Sequence, residues 1–272
     1  MVLKCQKFTG AKVIMIEIKS KSNEVFKLTK KLLTKQGRQK HKKYILEGLR
    51  LIRDAIQNGI DIDYLVISDS YCDSYLPDGV KTYVFDDKLF DEIKDTKNSQ
   101  GIIAVANTPD ISFDETELQK CSLIVYLDGV ADPGNMGTII RTCDGAGIDM
   151  IILSNNCTDL FSPKTVRSTM SSITSIKIRK DENQDETVLN LKKNGFKIVC
   201  TSLAAEKYHY DIDLKEKCVI VIGNEANGIN ENLLNMSDVD TKIPIIGKCE
   251  SLNASVACGI MVYEALRQKM KS

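Results

Sequence analysis

Three short segments of this 272-residue chain carry the side chains that could do chemistry. Asp128-Gly129-Val130-Ala131-Asp132-Pro133-Gly134-Asn135-Met136-Gly137 follows an apolar run and leads into Ile139-Ile140-Arg141. A glycine-rich turn between a strand and a helix can cradle a phosphate or a nucleotide. This one lacks both the G-x-G-x-x-G order of a dinucleotide site and the Gly-Lys-Ser/Thr ending of a P-loop, which disfavours a nicotinamide or ATP enzyme. The second segment, Gly223-Asn224-Glu225-Ala226-Asn227-Gly228-Ile229, sets a carboxylate between glycines after another apolar run. Open α/β sheets keep their ligand sites at that end of a strand. The third, Glu250-Ser251-Leu252-Asn253-Ala254-Ser255-Val256, follows Ile243-Pro244-Ile245-Ile246-Gly247 and opens the last helical pattern. A helix starting at Ser251 would present unpaired backbone N–H groups there, with the serine as its cap.

The elements that must hold these segments alternate along the chain. A helix is predicted from Ser22-Asn23 to Lys35, then a polar loop from Gln36 to His41. Next come a strand at Tyr44–Leu46, a helix over 48–58, strands near 64–67 and 82–85, a helix around 88–94 and a strand over 101–106. These make a small α/β domain over 20–107, behind an N-terminal extension of residues 1–19. Residues 108–121 are polar and acidic, contain Pro109 and read as a linker. From 122 to 272 strands are predicted at 123–127, 150–153, 175–178, 197–201, 218–222 and 242–246. Helices are expected at 134–145, 164–170, 186–193, 231–236 and from Ser251 on. The strands around Ile151 and Val219 are apolar on both faces, as in a parallel sheet covered on both sides.

No run approaches the ~20 apolar residues of a membrane helix, and Val13–Ile16 is too short for a signal peptide, so the chain is expected in the cytoplasm. The nine cysteines lack CxxC spacing and are accompanied by two histidines, so free thiols are expected and a metal site is not. The net charge of zero hides a division. Residues 1–53 hold fifteen Lys or Arg against three Asp or Glu, and the remainder twenty-two against thirty-four. Such a split points to a polyanion at the N-terminal end, with Lys30, Lys31, Lys35, Arg38, Lys40, Lys42, Lys43 and Arg50 as candidate contacts.

The ordered triple resembles the three motifs of the SpoU (TrmH-like) family of RNA ribose methyltransferases, in the SPOUT superfamily. Asn135, Gly137 and Arg141 match the first motif. Gly223-Asn224-Glu225 with Gly228 matches the second, and Ile243-Pro244 through Ser251-Leu252-Asn253-Ala254-Ser255 the third. Two departures stand out: Ala226 and Ser171 occupy positions where relatives often carry glycine.

The resemblance implies an α/β fold in which a small ribosomal-protein-like, RNA-binding domain precedes a knotted, parallel-sheet methyltransferase domain. It implies S-adenosylmethionine as donor, no metal, a ribose 2′-hydroxyl in RNA as acceptor, and a homodimer. Gly223, Ile243, Leu252 and Thr201 would then hold the donor. Arg141 would hold a phosphate beside the ribose, or act as base in a desolvated cationic pocket, since an arginine pKa above about 12 opposes deprotonation. Asn135 would orient the ribose or Arg141, Glu225 would fix that arginine or balance the sulfonium, and Ser251 and Asn253 would order loop and ribose. The separate N-terminal domain favours ribosomal RNA. A tRNA enzyme and a non-catalytic RNA-binding protein on the same fold are the alternatives.

Overall fold

The computed structural model describes residues 3–8, 11–73 and 75–271, with side chains from Met15 onward. In chain order the elements are β1 (Leu3–Phe8), β2 (Ala11–Ile18), α1 (Glu24–Lys31), α2 (Lys35–His41), β3 (Lys43–Glu47), α3 (Leu49–Gln57), β4 (Ile62–Ser68), β5 (Thr82–Phe85), α4 (Asp87–Asp91) and β6 (Ile102–Asn107). They continue as β7 (Leu123–Leu127), α5 (Pro133–Gly145), β8 (Met150–Leu153), α6 (Pro163–Ser168), β9 (Ile178–Lys180), α7 (Gln184–Lys193), β10 (Lys197–Thr201), β11 (Cys218–Ile222), α8 (Glu231–Asn235), β12 (Val239–Thr241) and α9 (Ala254–Met270). Two compact units result: residues 1–109 with 161–174, and residues 110–160 with 175–272.

The first unit is a six-stranded mixed sheet in the order β1-β2-β5-β4-β6-β3. Strand alternation divides its core. Tyr44, Leu46, Leu65, Ile67, Ile102 and Ala104 face α3, while Ile45, Tyr64, Val66, Ile103 and Val105 face Phe26, Leu32 and Phe90. Each fully buried apolar side chain contributes about 1.5–3 kcal/mol. The 161–174 segment joins the first of these faces through Val166, Phe161 and Ile173. Sequence assigned it to the following domain, because only tertiary packing tells which core an apolar triplet completes.

The N-terminal extension is also structured: β2 pairs in parallel with β5, and Met15 and Ile18 are buried. The expected loop 36–41 is helix α2, capped by the Thr34 hydroxyl accepting from Gly37 N–H at 3.1 Å. Gly37 is required there, because a Cβ would lie 1.9 Å from the Lys31 carbonyl oxygen. That close approach is invisible in a polar, lysine-rich sequence.

In the second unit all strands are parallel, in the order β12-β10-β11-β7-β8-β9. Ile124, Tyr126, Ile152, Ile198 and Val221 share one core with Val188 and Leu191 of α7, and α9 packs on β11 and α5. The expected linker is largely part of this unit: Phe113 and Leu118 enter its core, and Glu117 accepts from Arg179 Nε and Nη2 at 2.6 and 2.7 Å. Within its acidic run Glu117 pairs with Arg179 and Lys177, and Asp114 accepts from Thr116 N–H at 2.9 Å. Strand β9 begins three residues later than expected, paired Ile151 to Ile178. The last strand ends at Thr241 instead of spanning 242–246, since Pro244 has no N–H for a ladder and the segment turns to line a cleft.

Candidate active site

Parallel strands place their C-terminal ends on one side, so the loops after β7, β10, β11 and β12 gather there. The loop after β7 is fixed by its neighbours. Gly129, at φ +71°, donates N–H to the Ser154 hydroxyl at 2.9 Å, and its carbonyl accepts from Asn224 Nδ2 at 2.7 Å. Asn224 Oδ1 accepts from the N–H groups of Ala226 and Asn227, closing the second loop. Buried Asp128 accepts from Asn230 N–H and Nδ2, both at 2.8 Å. These four residues, Asp128, Ser154, Asn224 and Asn230, build the site without having stood out as functional in the sequence. Asp128 and Asn224 lie inside the first two segments and were the available signal.

Helix α5 starts at Pro133, with Asp132 accepting from Asn135 N–H at 2.9 Å. At the start of α9 the cap is Asn253 rather than Ser251. Its Oδ1 accepts from Ser255 N–H at 2.9 Å, Ser255 Oγ at 2.6 Å and Val256 N–H at 3.4 Å. Asparagine is as good a cap as serine, and the side chain nearest the first free N–H groups takes the position. Ser251 instead lies on the exposed rim of the cleft.

The cap fixes a direction for everything beyond it. With its oxygen occupied, Asn253 must donate through Nδ2, and it does so to Asn135 Oδ1 at 2.9 Å. Asn135 must then donate through its own Nδ2, to Glu225 Oε1 at 2.7 Å. The three segments thus meet in one chain of bonds from helix cap to carboxylate. Arg141 is outside it. It lies six residues past Asn135 on α5, roughly 120° around the axis, exposed and without a hydrogen bond or ion pair among the described residues. The expected partnership of Glu225 with Arg141 is absent among the described residues, and the carboxylate bonds Asn135 instead. Nor does the chain bury Arg141 in the desolvated cationic pocket that a base role requires.

Beside Glu225 opens a cleft of about 680 Å³, lined by Thr201, Gly223, Glu225, Ile243, Ser251 and Leu252 among others. All four expected donor-binding residues are therefore together. Its volume and mixed lining suit a nucleoside-sized ligand with an apolar body and polar ends. The Thr201 hydroxyl is already committed to the Val221 carbonyl at 2.9 Å. Gly223 acts through its own loop: a Cβ there would lie 2.4 Å from the Gly228 carbonyl carbon and 2.5 Å from Ile229 N. Behind the cleft, Cys143 of α5 and Cys258 of α9 lie 4.0 Å apart as free thiols, and that contact with burial pushes the Cys143 pKa up. They serve as small apolar groups. No metal-ligating cluster is found among the described residues.

Residues 122–263 match the SpoU rRNA Methylase family, and residues 23–104 match the MRM3-like substrate binding domain. The chain belongs to the SpoU rRNA methylase family. One relative, 34% identical over 92% of this chain and 98% of its own length, is the Bacillus subtilis 23S rRNA (guanosine(2553)-2′-O)-methyltransferase RlmP. The AdoMet-bound rRNA methyltransferase of Sinorhizobium meliloti superposes with a TM-score of 0.83 at 31% identity, covering 93% of this chain and 98% of that one. The SpoU methyltransferase AviRb of Streptomyces viridochromogenes, in complex with AdoMet, gives 0.82 at 25% identity over 92% and 99%.

In this SpoU chain the eight basic candidates of the first unit divide. Lys31, Lys35, Lys40 and Lys42 are exposed on and just after α1 and α2, and Arg50 is exposed with Asp54 3.9 Å away. Lys30 pairs with Glu92 at 2.5 Å, and half-buried Lys43 pairs with Asp63 at 3.0 Å. Arg38 is buried, with Nη1 donating to the Leu32 carbonyl at 2.8 Å, and holds α2 to the end of α1. A charge count cannot separate a structural arginine from a solvated one.

Proposed function

We propose that this chain transfers a methyl group from S-adenosylmethionine to a ribose 2′-hydroxyl of ribosomal RNA, as a homodimer in the cytoplasm. The observation carrying this is the bonded line Asn253–Asn135–Glu225, one residue from each segment, ending at the rim of the 680 Å³ cleft. When bound there, the donor supplies an electrophilic methyl group on a sulfonium. The walls from Ile243 and Leu252 exclude water from its apolar parts, while the loops carrying Gly223 and Thr201 offer backbone polar groups. Glu225 brings negative charge to the cleft edge. Asn135 and Asn253 hold that carboxylate and each other, so the ribose meets a fixed set of donors and acceptors. Much of the rate then comes from positioning. Arg141 takes an RNA phosphate, a role supported by its exposure and by its having no hydrogen bond or ion pair among the described residues.

The homodimer is supported by the outer face of α9, where Val256 and Tyr263 are half exposed and Ile260 lies between them. The core takes Cys258, Met261, Val262 and Ala265 of the same helix and leaves this face uncovered. A trefoil knot in the C-terminal chain is part of the same reading. It is supported by β12 lying at the sheet edge while the chain beyond it returns to place α9 against β11 and α5.

Mapping 2′-O-methyl groups in ribosomal RNA from cells with and without the gene tests the reaction, and the guanosine at position 2553 of 23S rRNA, the target of RlmP, is the first position to inspect. An unchanged map, with no transfer to ribosomal RNA in vitro, refutes it. Transfer to tRNA alone would move the substrate class. Arg141→Ala is expected to abolish transfer with donor affinity retained in calorimetry, and loss of donor binding would contradict the phosphate role. A fully active monomer in sedimentation would remove the dimer.

A further inference from the structure

The segment between β10 and β11 carries an exposed aromatic pair that neither the family motifs nor the cleft uses. Tyr208 and Tyr210 are 37% and 49% exposed, with ring centroids 5.5 Å apart and planes 25° from parallel. Lys242 Nζ stands 5.5 Å from the centroid of the Tyr208 ring, and the His209 ring packs edge-on against Tyr210 at 4.9 Å. This strip is held in place along its length. Lys242 N–H donates to the Lys207 carbonyl at 3.0 Å, and His209 N–H donates to the Lys242 carbonyl at 2.9 Å. The Thr241 hydroxyl donates to Lys207 O at 3.1 Å, extending the sheet beyond β12. Further on, buried Gln268 of α9 accepts from Leu214 N–H at 2.9 Å and donates to Ile212 O at 3.0 Å. Lys242 also lines the donor cleft, so the tyrosines stand beside its mouth.

We infer that Tyr208 and Tyr210 form a stacking platform for an unpaired RNA base next to the nucleotide being methylated. The inference rests on the proposed RNA methyl transfer and adds a contact within the catalytic unit. A phosphate site would need a surplus of positive charge, but exposed Lys207 is offset by exposed Glu206 and Asp211. What this patch presents is aromatic surface, already fixed in one orientation and topped by one lysine. Bases of any identity stack on such a surface, because every base has a π-face. Sequence-specific RNA recognition mostly targets loops and bulges whose unstacked bases are splayed onto aromatic side chains, and a base left uncovered beside the target nucleotide finds such a surface here. Preorganised rings provide that cover with little ordering on binding.

The test uses the full chain with a ribosomal RNA transcript and with a short single strand carrying 2-aminopurine. Tyr208→Ala and Tyr210→Ala are expected to weaken RNA binding about 5- to 100-fold, in line with loss of one stacked base. Tyr208→Phe and Tyr210→Phe should stay within about twofold, since the ring and not the hydroxyl does the stacking. Donor affinity should be unchanged in all four variants, and wild-type protein should quench 2-aminopurine. Alanine variants that bind RNA as tightly as a methylating wild type overturn the platform while leaving methyl transfer intact. So does a change in sedimentation with RNA affinity unaltered, which would assign the patch to a second copy of the chain. A wild type that neither binds nor methylates RNA refutes the proposed function, and this inference with it.

Discussion

Replacing Asn253 with aspartate and with alanine separates capping from catalysis. Asn253 accepts three bonds at the start of α9 and donates one to Asn135. Alanine removes both functions. Loss of an N-cap costs about 1 kcal/mol, which in a chain of this size lowers Tm by about 2–4 °C. Aspartate keeps the acceptor and adds negative charge at a helix N-terminus, a gain of about 0.3–1 kcal/mol. Yet the substituted carboxylate has no N–H to donate to Asn135. The Asn135 amide then faces carboxylates on both sides, the introduced one and Glu225, and either orientation leaves one oxygen against another. Losing one positioning hydrogen bond is worth about 1–2 kcal/mol, or about 5- to 30-fold in rate. The expected result is an N253D protein that keeps the cap and unfolds at a higher temperature than N253A, yet is several-fold slower than wild type at saturating substrates, and an N253A protein impaired in both. Thermal unfolding and single-turnover methyl transfer read the two properties separately. If N253D kept the wild-type rate, the directional bond chain would have no part in catalysis. If it unfolded as early as N253A, the cap assignment would fail.

Ser171 sits at φ +80° next to Met170 at φ +50°, so Ser171→Gly should raise stability by about 0.5–1 kcal/mol, and a lower urea midpoint would show that the turn is not strained. The Arg267 guanidinium, with Gln268 adding to it, holds the Glu264 pKa down to about 2 from an ordinary 4.5. A depressed folded pKa gives stability present above about pH 4.5 and lost as pH falls toward 2, so Glu264→Gln should flatten the acid limb of stability over that window. An acid limb identical to wild type would refute the pairing. Of the cysteines from Cys72 onward, Cys72 and Cys249 are exposed, while burial raises the pKa of Cys200 to about 12 and of Cys218 to about 11. A thiol reagent should therefore label Cys72 and Cys249 in the native protein and the buried thiols only after unfolding; rapid native labelling of Cys200 would contradict the packing.

The second unit was the more legible half. Runs such as Cys218–Ile222 are apolar on both faces because helices cover both sides of a parallel sheet, and that pattern is local. The polar segments after β7 and β11 were placed correctly at strand ends, whereas the third follows an irregular run beyond Thr241 and not the expected strand. Local pattern failed where distant chain decided the outcome. Gln36 to His41 reads as loop because nothing nearby announces that Gly37 lies against the Lys31 carbonyl. Residues 161–174 read as part of the second domain because their partners Tyr44 and Leu46 are more than a hundred residues away.

By itself the sequence determined the two α/β units, the three segments and their family resemblance, since these depend on residue type and order. It also brought Thr201, Gly223, Ile243 and Leu252 forward as a set. Tertiary structure alone decided which side chain caps α9, which way the amides of Asn253 and Asn135 point, and that Glu225 takes Asn135 rather than Arg141. It likewise withdrew Arg38 from the charged surface and left Val256 and Tyr263 on it. Hydrogen-bond direction and burial are properties of groups brought together from distant positions. Spacing along the chain can nominate such groups, but only the fold gives them their partners.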